Sequence, residues 1–172
     1  MKGTKKKKLC FRKNKDFLLR GYCDSDYGGD YDNRRSITGY VFTIGGNTIN
    51  WKSRQQKVVA ISTTEAEYMA LTDVVKEALW LRGFSEELGF SQESVEVNCD
   101  SESVTALAKN FVHHERTKHI DIRLHFIRDI INAGLVKVVK IASECNPVDI
   151  FTKVLPVEKF EGALHMLRVT EN

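Results

Sequence analysis

The chain has 172 residues, 42% of them hydrophobic and 28% charged, with 26 basic and 23 acidic side chains and a formal net charge of +3. That is the size and balance of one soluble globular domain able to bury a core. The longest apolar runs fall far short of a membrane span. The opening Met1-Lys2-Gly3-Thr4, followed by four lysines, lacks the apolar stretch of a secretory signal. Cys10, Cys23, Cys99 and Cys145 lie far apart with no CxxC pair, the pattern of reduced thiols in an intracellular protein.

Residues 1–16 read as a basic lead-in, with a short strand around Leu9 to Phe11. The lysine run has the composition of a solvated tail, a nuclear address or a nucleic-acid patch. Phe17 to Asp24 is the first strand, and GGDYDNRRS after it is rich in turn residues. Thr38 to Ile44 and Thr48 to Lys52 flank Gly45-Gly46-Asn47, a strong hairpin signal. A long helix follows, from a capping box at Ser62 and Glu65 to Leu88, closed by Gly89. Val95 to Cys99 alternates as a strand, and Ser101 caps a short helix over 102–109. The charged connector His113 to Lys118 leads to a helix over 120–132, then a strand over 135–141. Asn146-Pro147 has the cap and first-turn pattern of a helix start, and another short helix spans 157–168. A meander followed by strand–helix–strand alternation predicts a mixed α/β sheet covered by helices. Trp51 and Trp80 are assigned to the core, and 17–156 to the domain proper, with 157–172 as a C-terminal helix and tail.

The long helix contains an anomaly. At about 100° per residue, Ala70, Leu71, Val74, Val75, Ala78 and Leu81 share one side, and Glu67 sits in the middle of that stripe. Glu65 points elsewhere, in line with Met69, Thr72 and Lys76. A carboxylate aimed at a core needs a cation, a metal or donors to meet it. Three other acids end elements in the same way: Asp24 after the first strand, Asp100 after the strand 95–99, and Asp149 after Pro147. Singly, Asp100 and Asp149 read as partners of helix dipoles and Asp24 as a turn residue. Together at converging element ends they read as a site. Such a cluster repels itself unless divalent cations neutralise it. Oxygen ligands select magnesium or manganese, and a pair of such ions about 3.5–4 Å apart suits in-line phosphodiester hydrolysis.

The blocks GYCDSDYGGD, RRSITGYVF, WKSRQQKVVAISTTEAEYMAL, KEALWLR, CDSESVTALAKN, RTKHIDIRLHFIRD and DIFTKVLP resemble the ribonuclease H domain of copia-type retrotransposon Pol polyproteins. The resemblance runs from about Lys2 to Pro156, and KGTK resembles the tail of the connection after reverse transcriptase. It implies a ribonuclease H-like fold whose mixed five-stranded sheet has three antiparallel strands and then two parallel ones, flanked by helices. The implied activity is an RNA–DNA hybrid endonuclease that hydrolyses the RNA strand with two magnesium ions, manganese being a substitute. The family's acidic quartet matches Asp24, Glu67, Asp100 and Asp149, with Asp26 a second candidate for the first place on the same strand face. By similarity, Asp24 bridges both ions, Asp149 completes the water-activating site, and Glu67 with Asp100 forms the leaving-oxygen site. Many ribonucleases H carry a histidine in the loop before the last aspartate. Here Ala142-Ser143-Glu144-Cys145-Asn146 has none, which leaves Glu144 as the accessory candidate.

For substrate contact, Arg116, His119 and Arg123 fall at i, i+3 and i+7 around Lys118, opposite an apolar ridge of Ile120, Leu124, Ile127 and Ile131. An amphipathic helix with a solvated basic face explains the pattern as well as contacts to a nucleic-acid backbone do, until a nearby phosphodiesterase site tips the balance. Ser25, Asn98 and Ser101 adjoin the carboxylates as candidate groove contacts. The implied partners are an RNA–DNA hybrid and the reverse transcriptase domain of the same polyprotein, with no membrane. The implied location is a cytoplasmic virus-like particle, with nuclear entry admitted by the lysine run. The alternative function is a catalytically inactive nucleic-acid-binding or assembly module. A transposase or integrase on a similar sheet is disfavoured by the number of matching blocks.

Overall fold

A computed structural model describes residues 6–14, 16–109 and 118–171, leaving out the side chains of 103, 107–109 and 118–121. In chain order its elements are β1 (Lys7–Leu9), β2 (Leu19–Asp30), β3 (Arg35–Ile44), β4 (Asn47–Gln55), α1 (Thr63–Glu87), β5 (Val95–Cys99), α2 (Glu102–Lys109), α3 (Lys118–Asn132), β6 (Val136–Lys140), α4 (Asp149–Thr152), α5 (Val157–Met166) and β7 (Val169–Glu171). The main sheet has the order β4-β3-β2-β5-β6. The β2–β3 and β3–β4 pairs are antiparallel, whereas β2–β5 and β5–β6 are parallel. This is the expected mixed sheet, and it is the ribonuclease H fold. Among the described residues no helix is long and apolar enough to cross a membrane.

Local chemistry explains most boundaries. Gly45 and Gly46 both have positive φ, +55° and +73°, the geometry a two-residue hairpin loop needs to match strand twist. Strand β2 runs past the expected end at Asp24 to Asp30, with a register shift between Asp26 and Asp30 where Gly28 takes φ +64°. The stretch expected to be loop is therefore largely a bulged continuation of the hairpin. Gly28 N–H donates to the side-chain Oγ of Ser36 there, and the ladder resumes at Asp30 opposite Arg35. The lead-in and the C-terminal tail meet: β1 pairs antiparallel with β7, a strand absent from the sequence reading.

Alternation along the strands fills both sheet faces. On one, Phe42, Val95, Val97 and Val136 meet Tyr68, Leu71, Val74, Val75 and Ala78 of α1 and Ile127 of α3, all buried. On the other, Val41 packs with Val148 and Leu167 around α4 and the end of α5. Helix α1 is buried on more than one side. Ala66 and Met69 form a satellite cluster with Ala60, so the line through Glu65, Met69 and Thr72 is covered too.

Two assignments need correction. Trp51 and Trp80 are 54% and 61% exposed, not core residues. Trp51 lies on the edge strand β4, and Trp80 stacks on Phe84 outside the helix at 5.6 Å. Asn146-Pro147 does not open a helix directly. A 3-10 turn at Ser143–Cys145 precedes it, and α4 starts only at Asp149 with Val148 as its cap position. Asn146 is 3% exposed because its side chain has work inside the fold.

Candidate active site

The parallel pairing of β2 and β5 sets Cys23 beside Cys99, so Asp24 within β2 and Asp100 just past β5 are neighbours. Between them, Asn146 Nδ2 donates to Cys23 O at 3.0 Å and reaches Asp100 Oδ1 at 3.5 Å, tying the loop before α4 to both strands. On the far side, Asp24 pairs across the ladder with Gly39 of β3. A Cβ at Gly39 would lie 2.6 Å from Thr152 Cγ2, 2.9 Å from Val148 Cγ1 and 3.1 Å from Phe151 Cβ. Only glycine lets α4 settle so closely on the sheet.

That approach brings Asp149 in. Carboxylate oxygens of Asp24, Asp100 and Asp149 lie within 4.8 Å of one another, and Asp26 is not in the group. Thr152 Oγ1 donates to Asp24 Oδ2. Lys153 Nζ lies 2.9 Å from Asp149 Oδ1 and 3.6 Å from Asp24 Oδ2. No donor with hydrogen-bond geometry meets the buried Asp149 Oδ1 among the described residues, so the lysine acts there as a charge. Burial, first, and the carboxylates of Asp149 and Asp100 raise the Asp24 pKa against the opposing Thr152 hydroxyl and Lys153 ammonium. Burial would lower Lys153, but its close approach to Asp149 and the charge of the surrounding carboxylates outweigh that and raise it. Just behind the acids, the adjacent Cys23 and Cys99 thiols shift in opposite directions: proximity to Cys99 and burial push Cys23 well up, and proximity to Cys23 with contacts to Thr105 and Ser101 draws Cys99 down to about 7.

Glu67 is held differently. It is half-buried, and Ser101 Oγ donates to its Oε2 at 2.5 Å. The same hydroxyl accepts from Val104 N–H at 3.3 Å, so one side chain caps α2 and holds the glutamate, which stands outside the group of three aspartates. Glu65 is the more buried of the two, at 7% exposure, and its Oε2 accepts from Ile61 N–H at 2.7 Å while its own N–H donates to Ser62 Oγ. The capping box thus closes one residue earlier than expected.

The remaining candidates scatter. Ser25 Oγ is buried without a hydrogen-bond partner among the described residues. Asn98 is 4% exposed and donates to Gly21 O between the strands, so it braces the sheet and presents no free groove contact. Arg123 is half-buried on α3, Arg116 lies outside the described residues, and Lys118 and His119 lie in α3 with undescribed side chains. Glu144 is exposed and shares a small cleft with Asn146 and Asp149. Gly39, Asn146, Thr152 and Lys153 were not singled out from sequence. Thr152 and Lys153 follow Asp149 by three and four residues, and that helical spacing was the available signal.

The donor set fits a hard divalent cation. It is all oxygen, partly buried and anionic, and it already holds one ammonium against two of its carboxylates.

No family model matches the chain. Over 172 residues, all of this chain, it is 50% identical to the retrovirus-related Pol polyprotein of transposon TNT 1-94 from Nicotiana tabacum. Over 98% of the chain it is 34% identical to that of transposon RE1 from Arabidopsis thaliana. It spans 13% and 12% of those relatives' lengths. Among solved structures, LC11-RNase H1 in complex with an RNA/DNA hybrid aligns at TM-score 0.56 and 22% identity, over 78% of this chain and 93% of that one. The chain thus corresponds to a segment of the Pol polyproteins of plant transposons and has the ribonuclease H fold of its structural neighbours.

Proposed function

We propose that the domain is a divalent-metal-dependent endonuclease that cuts the RNA strand of an RNA–DNA hybrid. The observation that carries this reading is the convergence of Asp24, Asp100 and Asp149 at one sheet end, with Glu67 held by the hydroxyl of Ser101, the residue after Asp100. The ribonuclease H fold, and the hybrid bound by a structural neighbour, support the substrate class. Asp24, Asp100 and Asp149, joined by Glu67, would hold the metal. Bound divalent ions supply an activated water and charge stabilisation for the leaving oxygen.

The chain's own residues do the positioning. Asn146 ties the backbone under Asp24 to Asp100, Thr152 fixes one oxygen of Asp24, and Gly39 seats Asp149 against the sheet. Because burial and neighbouring carboxylates disfavour the ionised Asp24, the site is primed to bind a cation that relieves the repulsion. The relatives are Pol polyproteins, which supports the reverse transcriptase part of the same polyprotein as partner and degradation of template RNA as the task. The reading extends to a cytoplasmic particle as the setting.

The test is cleavage of a hybrid labelled on either strand. With magnesium, the RNA should be cut and the DNA left whole. Asp100→Asn should lower the rate by about 10³-fold, the scale of several kcal/mol of charge stabilisation, with an unchanged circular dichroism spectrum. Equal background cutting by wild type and variant would leave a nucleic-acid-binding module without nuclease activity.

A further inference from the structure

We infer that Lys153 is a tethered counter-ion that holds the acidic cluster together before metal arrives and must leave when metal binds, making the two sides of the site unequal. The inference rests on the nuclease reading for its second half only. Its ammonium touches Asp149 and Asp24, at 2.9 and 3.6 Å, and makes no ion pair with Asp100 or Glu67 among the described residues. Of the described groups on the other side, the Asn146 amide stands 3.5 Å from Asp100 and the Ser101 hydroxyl donates to Glu67. The lysine thus belongs to the Asp24–Asp149 half of the cluster.

Three features suit the lysine to a reversible role. It sits four residues after Asp149, immediately past the last turn of α4, so the short helix aims its stem back at the aspartate. Its side chain is 38% exposed, while those of Asp24 and Asp149 are 8% and 15% exposed. The ammonium can therefore swing into water on its flexible stem while the carboxylates stay fixed. An arginine of fixed fork geometry or a buried lysine could not yield so easily. A cation between Asp24 and Asp149 and the ammonium at its present position compete for the same two carboxylates. Binding on that side therefore requires displacement of Lys153, whereas binding on the Asp100–Glu67 side does not.

The whole chain is tested as wild type, Lys153→Met and Lys153→Arg, without nucleic acid. In EDTA, Lys153→Met should lower Tm by about 2–4 °C, because the carboxylates lose their counter-ion, and Lys153→Arg should restore most of the loss. By titration calorimetry, Lys153→Met should bind magnesium about fivefold more tightly, through loss of the competitor and a more negative site. An unchanged or higher Tm for Lys153→Met in EDTA would overturn the tether. Unchanged or weaker magnesium binding by that variant would overturn the competition. If wild type, Lys153→Met and Asp100→Asn all bind no magnesium, the metal-dependent reading of the site fails, and the Tm comparison still decides whether the lysine is the counter-ion.

Discussion

Gly39→Ala should damage the site from a residue that bears no charge. The added methyl carbon would stand 2.6 Å from Thr152 Cγ2 and 2.9 Å from Val148 Cγ1. Both targets are β-branched and buried, so neither can rotate away cheaply. Restoring ordinary carbon contacts near 3.5 Å takes a shift of about 0.9 Å, and the element that can shift is the four-residue α4, which is lighter than the sheet. Overpacking on this scale costs about 1–3 kcal/mol, or about 2–12 °C in Tm for a chain of this length. The same shift moves Asp149, Thr152 and Lys153 away from Asp24, and a misplacement near 1 Å costs about 10² in rate. Scanning calorimetry and hybrid cleavage with magnesium measure both effects. Gly83→Ala is the control, because Gly83 is an exposed interior residue of α1 with open space at its Cβ position. It should gain up to about 1 kcal/mol and keep full activity. If Gly39→Ala behaves like Gly83→Ala, α4 is not seated by the missing Cβ, and the account of how Asp149 reaches the sheet is wrong.

Other outcomes follow from single contacts. Tyr68 is 1% exposed and its hydroxyl has no hydrogen-bond partner among the described residues. Tyr68→Phe should be neutral or stabilising by about 1 kcal/mol at pH 7, read by denaturant titration. Burial also pushes the Tyr68 pKa from 10.0 to about 12. The folded state then binds more protons than the unfolded state between those values, so this residue's contribution is intact below pH 10 and is lost as pH rises to about 12. The wild type should therefore lose stability through that window more steeply than Tyr68→Phe, and parallel curves would refute it. Ser101→Ala removes the α2 cap and the donor to Glu67 together. It should cost about 1 kcal/mol of stability and, separately, weaken magnesium binding in calorimetry. A stability loss with unchanged binding would mean Ser101 is a cap alone.

What could be read in advance depended on the range of the interaction involved. Strand β5 and the Gly45-Gly46 turn follow from alternation and backbone freedom within a few residues, and both stand where the sequence puts them. Helix α1 has its expected cap and its Gly89 end, but periodicity ranks faces only by hydropathy. It could not show that Ala60 would fold over the line of Glu65 and Met69. Trp51 failed for the related reason that apolar character does not reveal which strand becomes the sheet edge, and Trp80 because it does not reveal which side of α1 is left uncovered. Strand β7 has only three residues, Val169–Glu171, and forms because a partner from the other end of the chain lies beside it. The pairing spans more than 150 residues, and no local pattern encodes it.

The acidic site shows the same limit with a more useful outcome. Element ends could be recognised singly, and topology decides which ends coincide. Strand β2 is the one strand with an antiparallel neighbour on one side, β3, and a parallel neighbour on the other, β5. Parallel pairing puts Cys23 beside Cys99, so Asp24 and Asp100, each one residue further on, are neighbours once that register is set. Antiparallel pairing puts Gly39 opposite Asp24, and the missing side chain there opens the one direction from which a third acid can approach. Asp149 takes it, bringing Thr152 and Lys153 on the same turn. Aspartate, glycine and lysine positions that look unrelated along the chain are thus consequences of one change of strand direction. The acidic cluster is placed by the backbone before any carboxylate is considered. A one-residue slip of β5 against β2 would turn Asp100 to the opposite face and abolish the cluster.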